Sequence, residues 1–222
     1  MNDYSLHTTT NPYLDQVRAH KDEYTVEVLG KKIIVFPDVM SPKYDWSSRF
    51  HVENMPNQSD KNFLEIGSGC GIISVFAHLQ GAQNITAIDI NPAAVANTKK
   101  NFELHGVKGE AFESNLFDQI EGTFDSITWA APYHGSEPAD FLEHGVSDHN
   151  YQYLKQFMKE VSEYLNEDGQ VILGFSDTGD NDLLNKLIEE NDFELIERKE
   201  ESNDGWTAYL YILESKSSSN SK

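Results

Sequence analysis

From Lys61 to about Glu214 the chain alternates two kinds of apolar pattern, and no other feature restricts its fold as strongly. "NFLEI", "NITAID", "GEAFES", "FDSITWA" and "QVILGF" are short apolar or alternating runs of the kind that form strands. Between them, "GIISVFAHLQ", "PAAVANTKKNFELHG" and "NYQYLKQFMKEVSEYLNEDG" read as helices. The last keeps Tyr153, Leu154, Phe157, Met158, Val161 and Leu165 on one face and is expected to stop only at Gly169. Such alternation implies a parallel sheet with helices on both faces. The end of the zone differs. "FELIERKEESNDGWTAYLYIL" sets the turn signal "SNDG" between two strand-like runs, and strands joined by a tight turn are antiparallel. One reversed strand is therefore expected to close the sheet.

The chain divides into residues 1–60, an appendage, 61–214, the alternating domain, and 215–222, a tail. The tail, "SKSSSNSK", has nothing to bury and is expected to be disordered. In the appendage, "NPYLDQVRAHKDEY" can start a helix with Asn11 as cap and Pro12 at the first helical position. "YTVEVLGKKIIVF" alternates around Gly30 as a hairpin does, and a short helix is expected near Phe50. No apolar run approaches the roughly 20 residues of a membrane helix. The first residues lack the basic start and apolar core of a secretory signal. A lone cysteine, Cys70, precludes an intramolecular disulfide and suits a reducing compartment, so the cytoplasm is the expected location.

Charge bears on partners. Acidic residues number 37 against 17 basic ones, a formal net charge of −20. Nucleic-acid binders usually show a basic face. Here the longest positive runs are pairs such as Lys31-Lys32 and Lys99-Lys100, so nucleic acid is not the expected partner. The excess reads as a solvated acidic surface, or as one that attracts a cationic partner.

In "FLEIGSGCGIIS", Gly67, Gly69 and Gly71 stand directly after a strand and before a helix. There the backbone must turn sharply and approach a ligand closely, and side chains obstruct both. Ile72 occupies the position where the dinucleotide fingerprint wants its third glycine, which argues against a nicotinamide or flavin dinucleotide. No Gly-Lys-Ser/Thr follows, so a Walker-type phosphate loop is absent as well. Downstream, "NITAIDINP" ends its strand on Asp89, where a carboxylate can accept hydrogen bonds from a ribose diol. Cys70 reads as a small residue packed under the loop.

Together "LEIGSGCG", "AIDINPAAV" and the hairpin ending resemble the class I S-adenosylmethionine-dependent methyltransferases, from roughly Asn62 to Glu214. The resemblance implies an α/β, Rossmann-like methyltransferase sandwich. Its mostly parallel seven-stranded sheet has an antiparallel last strand, and the N-terminal helix/hairpin appendage forms a substrate-side wall. It implies S-adenosylmethionine as cofactor and S-adenosylhomocysteine as product. Gly67, Ser68, Gly69 and Gly71 then pass under the methionine part, and Glu65 helps position that end. Asp89, with Ile90, meets the ribose, Asn115 and Leu116 the adenine, and Ala130 lies alongside.

"AAPY", Ala130 to Tyr133, resembles the Asn-Pro-Pro-Tyr of one branch of that family, with its first two positions changed. The branch includes release-factor glutamine, small-domain RNA and adenine-N6 methyltransferases. There an Asn oxygen and a proline-edge carbonyl accept from the reacting nitrogen, and the aromatic ring stacks on a flat acceptor. Ala130 has no side-chain acceptor, so the resemblance leaves orientation to main-chain carbonyls at Ala130 and Ala131, with Pro132 and Tyr133 as the rim. "VMSPKYDWS" resembles the Pro-Arg-x-Asp segment of the glutamine enzymes, with Lys43 for Arg. Its Tyr44, Asp45 and Trp46, an acid between two aromatics, suit an amine acceptor. The loop "HGSEPADFLEHGVSDHN" is expected to lid the site and to offer His134 as a general base. It shows no metal-ligand spacing, and no metal is expected.

The expected activity is N-methylation of a small molecule, peptide or protein side chain. Alternatives are a glutamine or ribosomal-component methyltransferase, and a non-catalytic cofactor-binding partner in which "AAPY" marks lost activity.

Overall fold

The computed structural model describes residues 12–216. The expected Asn11 cap, the chain's first residues and the tail from 217 onward lie outside the described residues.

A short helix α1 (Pro12–Arg18) precedes a hairpin of β1 (Tyr24–Val28) and β2 (Lys31–Val35). Leu29 and Gly30 make its two-residue turn, both with positive φ, as the right-handed strand twist favours. Helix α2 (Ser47–Asn54) then leads to β3 (Asn62–Ile66), α3 (Ile72–Gln80), β4 (Asn84–Asp89), α4 (Pro92–His105) and β5 (Gly109–Glu113). The chain continues through β6 (Phe124–Ala130), α5 (Gln152–Glu160), β7 (Leu165–Ser176), α6 (Asn181–Glu190), β8 (Phe193–Asn203) and β9 (Trp206–Ser215).

The main sheet has seven strands in the order β5-β4-β3-β6-β7-β9-β8. The first five pair in parallel, whereas β9 runs antiparallel to both β7 and β8. The last strand is the reversed one, as its pattern suggests, but it lies second from the edge, because the hairpin folds back and inserts β9 between β7 and β8.

Alternate side chains of each strand feed two apolar layers, which is why the runs are apolar nearly throughout. Phe63, Ile172, Leu210 and Ile212 meet α2, α3, α4 and the hairpin on one face. Leu64, Val171, Leu173, Tyr211 and Leu213 meet α5 and α6 on the other. Val26, Val28, Ile33 and Val35 of the hairpin thus belong to the same core as the sheet. Two buried asparagines of α4 attach it. Asn101 Oδ1 accepts from the Ile34 amide at 2.9 Å and Asn97 Oδ1 from the Phe36 amide at 2.8 Å, while both amide groups donate to the Ile34 carbonyl.

Helix α5 ends well before Gly169. A single 3-10 turn (Val161–Tyr164) follows, and β7 has begun by Leu165, which pairs with Phe124. Tertiary packing overrides the helical pattern here. Tyr164 stacks on Phe117, with ring centroids 4.3 Å apart, and a Cβ on Gly169 would stand only 3.0 Å from the Phe124 carbonyl.

Candidate active site

The carboxyl ends of β5, β4, β3 and β6 open into one cavity of about 170 Å³, at the edge where open α/β sheets bind ligands. The glycine loop forms its floor. Gly69 has φ +54°, and a Cβ placed there would enter open space, so the bare backbone faces the cavity. Gly71 answers a different need: at φ +75° its missing Cβ would stand 2.9 Å from Thr98 Cγ2 of α4. The Thr98 hydroxyl holds the loop down, donating to the Gly69 carbonyl at 3.1 Å and meeting Ser68 Oγ at 2.9 Å.

Two carboxylates flank the loop. Asp89, at the end of β4, accepts from the Gly69 amide through Oδ2 and from the Asn91 amide through Oδ1, both at 2.8 Å. Burial raises its pKa, and the amide hydrogen bonds oppose that rise. Each oxygen keeps a lone pair for a ligand hydroxyl. Glu65, in β3, is 1% exposed and accepts from the amide of Ser74 at 2.9 Å and from its hydroxyl. Desolvation pushes Glu65 up to about 8, with the nearby Asp89 charge adding to the rise.

Beyond β5, Asn115 and Leu116 line the same cavity, Leu116 in the left-handed backbone region at φ +46° that a leucine seldom adopts. Ala130 and Pro132 line it from the end of β6. The roof comes from two places. Val39, Met40, Asp45 and Ser47 belong to the appendage, and Phe141, Leu142, His144 and Gly145 to the loop after β6. Helix α1 ties these together: Arg18 donates to Asp140 and Glu143, both at 2.9 Å, and Leu14 and Val17 pack on Leu142 and Val146. Asp148 of this loop is buried and caps α5, accepting from the Tyr153 and Leu154 amides.

A second, smaller cavity of about 50 Å³ adjoins the first and shares Asp45, Ser47, Ala130 and Gly145 with it. Ala131, His51, Tyr133, Gly174, Trp206 and Tyr209 are among the other residues that line it. Its aromatic wall is a row in which Trp206 lies 4.6 Å from Trp46 and 6.1 Å from Tyr133, ring centroid to ring centroid. Burial raises the Tyr133 pKa, helped by the Asp45 charge, so its hydroxyl stays protonated.

The residues singled out in the sequence divide as follows. Glu65, Gly67, Ser68, Gly69, Asp89, Ile90, Asn115, Leu116, Ala130 and Pro132 line the large cavity, Ala131 and Tyr133 the small one, and Asp45 both. Gly71 serves loop packing, and Cys70 is buried with its thiol pushed up to about 12. Tyr44 turns away to the His20 ring, 2.6 Å from its hydroxyl, and Trp46 packs between Phe50 and Trp206. His134 lines neither cavity. It packs edge-on against Tyr133, while His144 of the same loop does line the large one. His51 and Trp206 are additions that the sequence did not single out. Among the described residues, no cluster of three or more His, Cys, Asp or Glu side chains is placed to hold a metal ion, and no helix is long and apolar enough to cross a membrane.

These features fit S-adenosylmethionine. The bare Gly69 backbone would admit the methionine chain, the free lone pairs of Asp89 could take a ribose diol, and Ile90, Leu116 and Trp129 give an apolar lining. Comparison with known proteins agrees. The family model described as "Methyltransferase small domain" matches residues 32–200. A putative protein N5-glutamine methyltransferase of Methanocaldococcus jannaschii is 36% identical over 170 residues, 73% of this chain and 85% of the relative. Ribosomal RNA small subunit methyltransferase C of Chromohalobacter salexigens is 32% identical over 103 residues. That match spans 45% of this chain and 31% of the relative, so the chain corresponds to less than half of that protein. A 16S rRNA methyltransferase of T. thermophilus, solved with AdoMet and guanosine, superposes with a TM-score of 0.63 at 17% identity. It covers 85% of this chain and 49% of that one, a likeness of fold.

The relatives correct one expectation. Net charge disfavoured nucleic acid, yet several similar proteins are named as ribosomal RNA methyltransferases. Total charge describes the whole surface and does not exclude a nucleic acid at one site. None of these three relatives is named for a small-molecule acceptor. With a family model over most of its length and a cavity shaped for the cofactor, the chain belongs to the methyltransferase small domain family, as an S-adenosylmethionine-dependent methyltransferase.

Proposed function

We propose that the protein methylates a side-chain nitrogen of a polypeptide. The carrying observation is the small cavity that continues from the large one across Asp45, Ser47, Ala130 and Gly145. A flat acceptor entering it meets the Tyr133–Trp206 wall, and its end reaches the junction of the two cavities. The relative matched over 85% of its length, named as a putative protein glutamine methyltransferase, supports a protein acceptor.

Bound S-adenosylmethionine supplies a methyl group on a sulfonium, whose departure as a neutral thioether needs no acid. The chain's own part is positioning and exclusion of water. Asp89 and the glycine loop fix the donor side. The α1-braced roof covers it, and Tyr133 with Trp206 aligns the acceptor nitrogen. The nitrogen gains the methyl carbon and sheds one N–H proton. The Asp45 carboxylate at the junction takes that proton and passes it to water; burial, by raising its pKa, makes it a better acceptor. The described part of the appendage, residues 12–60, acts as the substrate-side wall. His134 contributes through the Tyr133 ring it packs against, and the protein works in the cytoplasm.

The second reading, methylation of a ribosomal RNA base nitrogen, is favoured by the names of the rRNA relatives. Incubation of the enzyme and labelled cofactor with separated protein and RNA fractions of a lysate decides between them. Label in a protein band, with a one-methyl mass increase on a side-chain nitrogen, is expected. Label in ribosomal RNA alone overturns the polypeptide reading.

A further inference from the structure

His51 is 2% exposed, lines the small cavity, and has its pKa pushed by burial down to about 3. It is therefore a neutral imidazole, with one protonated nitrogen and one bare one. Its tautomer follows from hydrogen-bond bookkeeping. Thr128 Oγ1 lies 3.0 Å from the Ile172 carbonyl, which can only accept, so the single hydroxyl proton of Thr128 is donated there. The same hydroxyl lies 2.8 Å from His51 Nε2 and must accept from it. Nε2 carries the proton and Nδ1 carries a lone pair.

That lone pair has no hydrogen-bond donor among the described residues. Nδ1 stands 3.2 Å from the place a Cβ on Gly174 would occupy, and the Ala130 Cα stands 3.3 Å from the same place. The absent side chain of Gly174 and the single methyl of Ala130 thus leave room at Nδ1, in the cavity walled by Tyr133 and Trp206. Nδ1 is not among the fully buried unpartnered atoms, so it is open to the cavity, where a ligand N–H can reach it.

We propose that His51 Nδ1 is the acceptor that orients the reacting nitrogen, by taking a hydrogen bond from a side-chain carboxamide of the substrate. Asp45, at the junction of the two cavities, takes the second N–H of the same group. The inference rests on the polypeptide reading above and adds the acceptor class to it. Size is compatible with a carboxamide: at roughly 10–15 Å³ for each water-sized group, a cavity of about 50 Å³ has room for one and for the carbon that carries it. Shape and polarity agree: the site has a flat aromatic wall, two acceptors and a neutral imidazole that would not repel a neutral amide.

The test uses the full chain saturated with S-adenosylhomocysteine and 15N-labelled histidine, with propionamide as probe. The His51 signals are expected to show the Nε2–H tautomer. The Nδ1 resonance should move with propionamide and stay still with N,N-dimethylpropionamide, which has no N–H. A protonated Nδ1, equal responses to both amides, or a response to guanosine alone would overturn the proposal. Two variants extend the test to catalysis on whichever lysate fraction accepts label. His51→Gln keeps a donor for Thr128 and removes the Nδ1 acceptor. It should lower kcat/KM for the acceptor roughly 10- to 100-fold, while cofactor affinity stays within about twofold. His51→Asn puts an oxygen near the Nδ1 position and should return to within about threefold of the wild type. Equal losses in both variants, or none in His51→Gln, count against it. Label confined to RNA instead removes the polypeptide reading, whereas protein labelling indifferent to His51 removes this inference alone.

Discussion

Glu65 and Asp89 face the same cavity, yet the fold treats their charges differently. Asp89 is offered backbone amides from Gly69 and Asn91, while Glu65 is buried with Ser74 as its hydrogen-bond donor in a strand flanked by strands. With its carboxyl pushed up to about 8 from an ordinary value of 4.5, folded Glu65 at neutral pH still holds a proton that the unfolded chain has already released. Its contribution to stability is complete below about pH 4.5 and is lost as pH rises toward 8, up to about 5 kcal/mol. Urea unfolding of the ligand-free protein between pH 5 and 8 should show that decline, and Glu65→Gln should flatten it; parallel profiles would refute the assignment. The residues that the sequence revealed are those with an enforced position relative to a strand end: the glycines, Asp89 and the Pro-Tyr rim. His51 and Trp206 carried no such mark. One reads as a histidine on a short helix and the other as an aromatic after a turn, and only folding brings them beside Ala130.

Elements were legible where periodicity and caps agree. Helix α4 starts with Asn91, which accepts from the Ala93 amide at 2.9 Å, and ends on Gly106 in the left-handed region. Helix α5 was not, since the contest between its apolar stripe and the pairing of Leu165 with Phe124 is decided across the sheet. How the hairpin attaches was equally hidden. Asn97 and Asn101 look ordinary in a helix of mixed polarity, yet both are fully buried and satisfy the edge of β2. Asn101 also donates to the Cys70 carbonyl at 2.8 Å, which links hairpin and glycine loop. Asn101→Leu should strand the Ile34 amide and the Cys70 carbonyl, while Asn97 still serves the Ile34 carbonyl, costing about 2–3 kcal/mol in urea unfolding and weakening cofactor binding. Asn84→Ala, which removes a hydrogen bond between exposed side chains, should stay within about 0.5 kcal/mol and serves as the control.

Across the whole molecule, a net charge of −20 makes self-repulsion a standing cost of compactness. Raising salt from about 10 mM to about 150 mM shortens the screening length from roughly 30 to 8 Å, which should lift the thermal midpoint by a few degrees. A fall in the midpoint would mean that attractive pairs such as Arg18 with Asp140 and Glu143 outweigh the repulsion. The placement of β9 has a further consequence. A strand from the far end of the described chain is inserted between β7 and β8, and it begins with Trp206 of the acceptor wall. Until that segment arrives, β7 presents an unpaired rim and the acceptor pocket lacks one side. A nascent or clipped chain ending before it is therefore both prone to stick to its neighbours and incapable of seating a substrate, so quality control and catalytic competence are decided by the same ten residues.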